Sequence, residues 1–119
     1  MDTIQERARE IGRLISRTDE YKALRRENDR VAGDRETVTL LNRLSELQET
    51  LTDSIRRGVE PTEEEAEEYE RTINDLQARS IYQGVIAAQS NFDRLMMRVN
   101  EEIAHGIEAG EQSRIILPS

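Results

Sequence analysis

Glu102 and His105 frame the motif EIAH, a spacing that on a helix sets a carboxylate and an imidazole one turn apart. Di-iron helical bundles use that pair, but they need two copies of it and two further glutamates. His105 is the chain's one histidine, so a metal-binding helical bundle would require a second chain to complete it. A second candidate is acidic: six glutamates fall in the nine positions from Thr62 to Glu70. Glu64, Glu65 and Glu68 offer oxygens to Mg²⁺ or Ca²⁺, yet those ions favour loops that wrap around them, whereas a helical face sets its carboxylates in a line. General acid–base work needs a carboxyl desolvated among apolar side chains, and none of these lies inside an apolar stripe. Gly-rich phosphate loops, a nucleophile elbow and Ser/His/Asp spacing are all lacking. No catalytic residue, cofactor site or metal ligand is assigned, and the chain is read as a non-enzyme without a cofactor.

The third candidate is cationic. Arg25, Arg26 and Arg30 form one cluster and Arg56 with Arg57 another, and either could meet an acidic partner or RNA. Each lies among acids or near a helix C-terminus, where cations belong anyway. A net charge of −8 opposes general attraction to phosphate backbones, and the four aromatics fall mainly on apolar stripes and not on open stacking platforms. Direct contact with nucleic acid is therefore not expected; an RNA-associated factor using its Arg clusters on one face is the alternative reading.

The elements that would position these residues are helical. Apolar side chains recur at three and four almost throughout, and no stretch alternates at period two for long. A first helix is predicted from about Asp2 to Arg17, with Ile4, Ala8, Ile11 and Ile15 on one stripe. At Thr18-Asp19 the helix either restarts or bends, Tyr21, Leu24 and Val31 continue an apolar face to a stop at Gly33, and Asp34 is placed to cap the next helix. That third helix, about Arg35 to Arg57, carries the clearest heptad in Leu40, Leu44, Leu47, Leu51 and Ile55, and stops at Gly58. Pro61 then blocks continuation, and Thr62 with Glu65 reads as a capping box, which turns the acidic run into a helix start facing the positive end of a dipole. Asp75 is spaced to pair with Arg79. Ser80 and Gln83 suggest a second box, opening a last helix on Ile81, Val85, Ala88, Phe92, Leu95, Val99 and Ile103 that holds its rhythm to about Glu108.

The fold class expected is thus all-α, an antiparallel bundle of about four to five helices with a long C-terminal helix. One domain over residues 1–108 and a flexible tail over 109–119 are expected, with Ile115, Ile116 and Leu117 apolar enough to dock on a partner. With 119 residues, 35% of them charged, the chain is short of apolar bulk for a deep core, so a homodimer or hetero-oligomer with other helical proteins is expected. The expected interface takes Leu44, Leu47, Leu51 and Ile55 from the third helix and Val85, Ala88, Phe92, Met96, Val99 and Ile103 from the last. The absence of cysteine excludes disulfides and thiolate clusters, and the charged N-terminus with no apolar run of about 20 residues points to a cytoplasmic protein without membrane insertion.

The order of these segments resembles one family. AREIGRLISRTDEYKAL at 8 to 24, LNRLSELQETL at 41 to 51, RGVEPTEEE at 57 to 65 and AAQSNFDRLMMRVNEEI at 87 to 103 look like the YlbF/YmcA proteins of bacteria and archaea, over almost the whole chain. The resemblance implies a dimer-forming, non-enzymatic regulator whose relatives join a multiprotein complex. Those relatives influence competence, sporulation and biofilm formation, and modulate mRNA processing by ribonuclease Y, which would make a ribonuclease or RNA-processing protein the partner. Complex-forming relatives carry C-terminal cysteines tied to iron–sulfur clusters; this chain has none, so that cofactor is not carried over. If the last helix builds a dimer, Phe92→Glu should break it, as read by the mass eluting from size-exclusion chromatography.

Overall fold

Five helices make up the fold: α1 (Asp2–Ile15), α2 (Asp19–Ala32), α3 (Arg35–Arg57), α4 (Glu63–Gln77) and α5 (Ser80–Ile116). The computed structural model describes residues 2–116, with side-chain surroundings for 2–112, and no strand occurs among the described residues. The helix boundaries follow cap chemistry. Thr18 opens α2 by accepting the Tyr21 N–H at 3.2 Å while its own hydroxyl donates to the Ile15 carbonyl, so one side chain serves both sides of the α1–α2 bend. Gly58 ends α3 in the left-handed conformation, φ 70°, and the Val59 N–H reaches back to the Ser54 carbonyl as in a Schellman turn.

Two expected caps differ. Thr62 accepts the Glu65 N–H at 3.1 Å, but the reciprocal bond of a capping box is not made, and Glu65 Oε2 is buried without a partner. Gln83 does not reach back to Ser80: its amide donates to the Gln77 carbonyl at 2.7 Å and ties the end of α4 to the start of α5. The last helix also continues past Glu108, where the periodicity predicts its end, to Ile116. The side chains of Ile115 and Ile116, and Leu117 altogether, lie outside the described residues.

The helices pair as two antiparallel arms. In one, α2 packs along α5; in the other, α3 packs along α4; between the arms contact is sparse. The long arm is registered by Tyr21 on Phe92, with ring centroids 5.9 Å apart, and by Arg98 Nη2 to Glu20 at 3.3 Å. In the short arm Arg43 Nε meets Glu68 at 2.7 Å, and Leu47 and Leu76 are its buried apolar side chains. Apolar positions three and four apart face the partner helix in each arm, which is why the heptad of α3 is legible as a stripe.

The arms meet at a polar joint. Thr37, which has no exposed surface, donates to Asp34 and accepts the Arg79 Nε–H at 2.8 Å. Arg79 Nη2 lies 3.1 Å from both Asp34 and Glu36. Asp34 occupies the N-cap position of α3 but makes no side-chain cap bond, because its carboxylate is engaged by Thr37 and Arg79 instead. Arg79 likewise pairs across the joint and not with Asp75 as its spacing suggests. The Thr37 hydroxyl, and after it the Arg79 guanidinium, holds the Asp34 carboxyl below its usual range, and Arg43 does the same to Glu68.

The result is an extended molecule, 68 × 38 × 23 Å, with a radius of gyration of 21.3 Å. A compact chain of this length would have a radius of about 13.5 Å. Its surface is 9650 Å², where a compact monomer of this mass would expose about 6,600 Å². The excess, about 3,000 Å², is surface that the chain leaves uncovered.

Thr37→Val keeps the shape at the joint but removes the hydroxyl that Arg79 Nε and Asp34 share, so it should lower stability, seen as a reduced urea midpoint at unchanged slope; an unchanged midpoint would remove the joint's importance. Arg79→Met should also destabilise. Because Asp34 is depressed in the folded state, the contribution it makes with Arg79 is complete above the ordinary carboxyl value of 3.8 and fades as pH falls through the lower folded value. The gap between wild type and Arg79→Met in urea melts should therefore be full at neutral pH and narrow in acid, where the Thr37–Arg79 hydrogen bond remains.

Candidate interaction surface

The first helix is amphipathic by sequence, yet of its residues only Ile15 is even half-buried. No α1 residue is buried; Ile4 is 66% exposed and Leu14 is also open. Extending the α2–α5 register along α1 sets Ile11 beside the second half of α5. There Ile11, Val99 and Ile103 line a shallow apolar groove, rimmed by Arg98 and Glu102. Ile107, 64% exposed, prolongs the apolar line on α5, and Met97 is a further open apolar side chain on that helix. An apolar strip rimmed by charged residues and left open along two adjacent helices is the pattern of a helix-binding face.

The residues expected at an interface are distributed between interior and surface. Leu47 and Ala88 are buried within the chain. Leu44, Leu51, Val85, Phe92, Met96 and Val99 are half-buried, while Ile55 and Ile103 are open, Ile55 by 75%. Phe92 packs on Tyr21 inside the long arm, so Phe92→Glu would damage the α2–α5 pair as well as any dimer, and Ile103 is the cleaner position for a test.

Two buried positions escaped the sequence reading. Thr37 and Thr72 are both buried, Thr72 with its hydroxyl donating to the Glu68 carbonyl one turn back. A threonine that bonds its own helix presents its methyl group to the core. Spacing carried the signal: Thr37 precedes Leu40 and Leu41 on the α3 stripe, and Thr72 lies three residues after Tyr69 and four before Leu76.

The groups that could do chemistry are placed apart. Glu102 Oε1 lies 3.4 Å from His105 Nδ1, with both side chains largely in solvent. Glu68 is engaged by Arg43 and Glu65 sits at the start of α4, while Glu64 is exposed. Among the described residues no three His, Asp or Glu side chains gather closely enough to hold a metal ion. The cationic cluster is brought together: Arg25, Arg26 and Arg30, with Lys22, line one groove on α2. Arg56 and Arg57 lie on the other arm, Arg57 paired with Asp53 at 2.5 Å.

Comparison with known proteins places this arrangement. The family model described as control of competence regulator ComK, YlbF/YmcA, matches residues 4–108. A UPF0342 protein of Alkalihalophilus pseudofirmus is 21% identical over 108 residues, covering 91% of this chain and 92% of that protein. A chain in the crystal structure of Bacillus subtilis RicA in complex with RicF shares the fold, with a TM-score of 0.76 at 14% identity over 91% of this chain and 96% of that one.

Proposed function

The chain belongs to the YlbF/YmcA family, and on that premise we propose that it acts without catalysis, as a helical adaptor that docks a helical partner on the α1/α5 strip. The observation that carries this reading is α1: an amphipathic helix with no buried residue, alongside Val99, Ile103 and Ile107 on α5. Apolar side chains left in water are unfavourable at about 25 cal/mol per Å², so covering them drives association. The uncovered excess of about 3,000 Å² exceeds the roughly 800 Å² that each partner contributes to a standard interface. The RicA–RicF complex supports a helical chain as the occupant, since it joins proteins that include one of this fold.

The process we assign to the adaptor is modulation of mRNA processing by ribonuclease Y, acting in the cytoplasm, with competence, sporulation and biofilm formation downstream. Among the described residues no helix is long and apolar enough to cross a membrane.

Affinity purification from the native host at low salt should recover helical regulatory proteins and a ribonuclease in stoichiometric amount. Recovery of RNA alone, lost as salt rises, would overturn the adaptor reading. Ile11→Glu with Ile103→Glu should keep native helicity by circular dichroism, because both positions face solvent or the open groove. The pair should weaken partner capture by about 30-fold or more, the effect of losing an anchor worth about 2 kcal/mol. Undiminished capture would place the contact elsewhere.

A further inference from the structure

The rest of the fold gives α1 almost no support. None of its 14 residues is buried, and Ile4 and Leu14 are 66% and 60% exposed. Among the described residues no side-chain hydrogen bond or ion pair ties it to another helix; its one ion pair, Arg7 with Glu10, is internal. A free-standing helix of about 12–15 residues is marginal in water even when its residues favour helix, because most helical stability comes from packing an apolar face. Gly12 lowers the propensity of α1 further, and no atom lies within 4 Å of the Cβ it lacks to explain its presence. Such a helix needs a surface to lie on.

The nearest apolar surface belongs to the same chain. The apolar line of α1 is Ile4, Ala8, Ile11 and Ile15, stepping by four, three and four. On the second half of α5, Val99, Ile103, Gly106 and Gly110 repeat those steps. Run antiparallel, as α2 and α5 run where Glu20 meets Arg98, the two lines pair position for position. The Ile11–Ile103 pair is already begun, since both side chains line one groove. Beyond it the helices stand apart: a Cβ at Gly106 or Gly110 would have nothing within 4 Å. The residues facing that gap are small, so the backbones can approach closely. The bend that would bring them together consists of Ser16, Arg17 and Thr18. Its Arg17 and Thr18 N–H groups reach back three residues, to Leu14 and Ile15, and its hydroxyls donate to Arg13 and Ile15. None of these bonds reaches α5, so none of them opposes a change of angle.

We propose that α1 is a strap that pivots at Ser16–Thr18 and closes lengthwise on the second half of α5, setting Ile11 on Ile103 and Ile4 on Gly110. Closed, it hides Val99 and Ile103 with its own apolar line; open, it offers both lines to a helix placed between them. The strap thereby regulates the strip, a meaning that rests on the docking role proposed for that strip, whereas the closure does not. Because α1 is tethered by three residues, its effective concentration at α5 is on the order of millimolar. A free helix must therefore bind more tightly than α1 does to displace it.

The chain has no cysteine, so a pair of spin labels can be placed without removing any. Labels at Glu6→Cys and Glu108→Cys, both exposed and off the apolar lines, read the α1–α5 distance in the full chain by pulsed dipolar spectroscopy. Excess unlabelled chain restricts the signal to pairs within one molecule. A population at a shorter distance than the open arrangement allows should be present. Ile4→Glu with Ile11→Glu should lower its ratio to the open population at least about tenfold, the factor that about 1.4 kcal/mol carries. Gly106→Gln with Gly110→Gln should lower that ratio while raising helicity, because the added side chains meet nothing in the open arrangement and obstruct the closed one. A single distance matching the open arrangement, or a short population that survives either pair of substitutions, would overturn the strap. So would a short population seen only without the unlabelled excess, since that reports α1 of another molecule. No partner is present in these measurements, so their failure leaves helix capture by an open strip standing, and failed capture beside a normal closure removes the docking reading alone.

Discussion

The Arg79 guanidinium is the point through which the two arms are fixed to each other. It donates to a threonine with no exposed surface and to two carboxylates, one of them at the N-cap of α3. Because contact between the arms is otherwise sparse, few other groups oppose their relative movement. Polar contacts are strict in a way that apolar ones are not: the donor count and directions of a guanidinium admit few arrangements. Asp34 illustrates the constraint. Helix capping, the role its position suggests, is given up for the joint, and α3 begins without a side-chain cap.

Much of this architecture is legible in the sequence. Thr18, Gly58, Pro61 and Thr62 punctuate the chain by mechanisms that act within one turn, so the helix boundaries around them follow directly from residue type. The heptad of α3 and the stripe of α5 are also visible, because helical period depends only on spacing. What spacing cannot say is which of several helices covers a stripe. The same Ala88 that could serve a dimer is buried by the chain's own α2–α5 arm, whereas Ile103, about four turns further on, is open. Arg79 shows the same limit for charge. Its local spacing points to Asp75, and the fold supplies Asp34 and Glu36 from 45 and 43 residues away.

The candidate surface was half legible. The amphipathic α1 and the length of α5 are read from sequence, but their uncovered state is a property of the whole fold, set by arms that run apart. The basic cluster on α2 is legible in the sequence, but the seat of its carboxylate is not: Glu27, with its side chain 14% exposed, lies against Gly84 of α5 and pairs with Arg30 and Arg26. A glycine inside a helix is unfavourable by about 1 kcal/mol relative to alanine, and here it admits a carboxylate that orients two arginines.

The joint also bears on the route by which the chain reaches this shape. Contacts in the α3–α4 arm span 25 residues, as between Arg43 and Glu68, whereas Glu20 and Arg98 in the long arm are 78 apart. Closing the larger loop directly is costlier by about 1 kcal/mol of chain entropy. The α3–α4 hairpin, once formed, sets Asp34 beside Arg79 and so delivers α2 and α5 to each other already side by side. The local hairpin thereby acts as a splint for the distant pairing, and the slowest search in the chain becomes a short one.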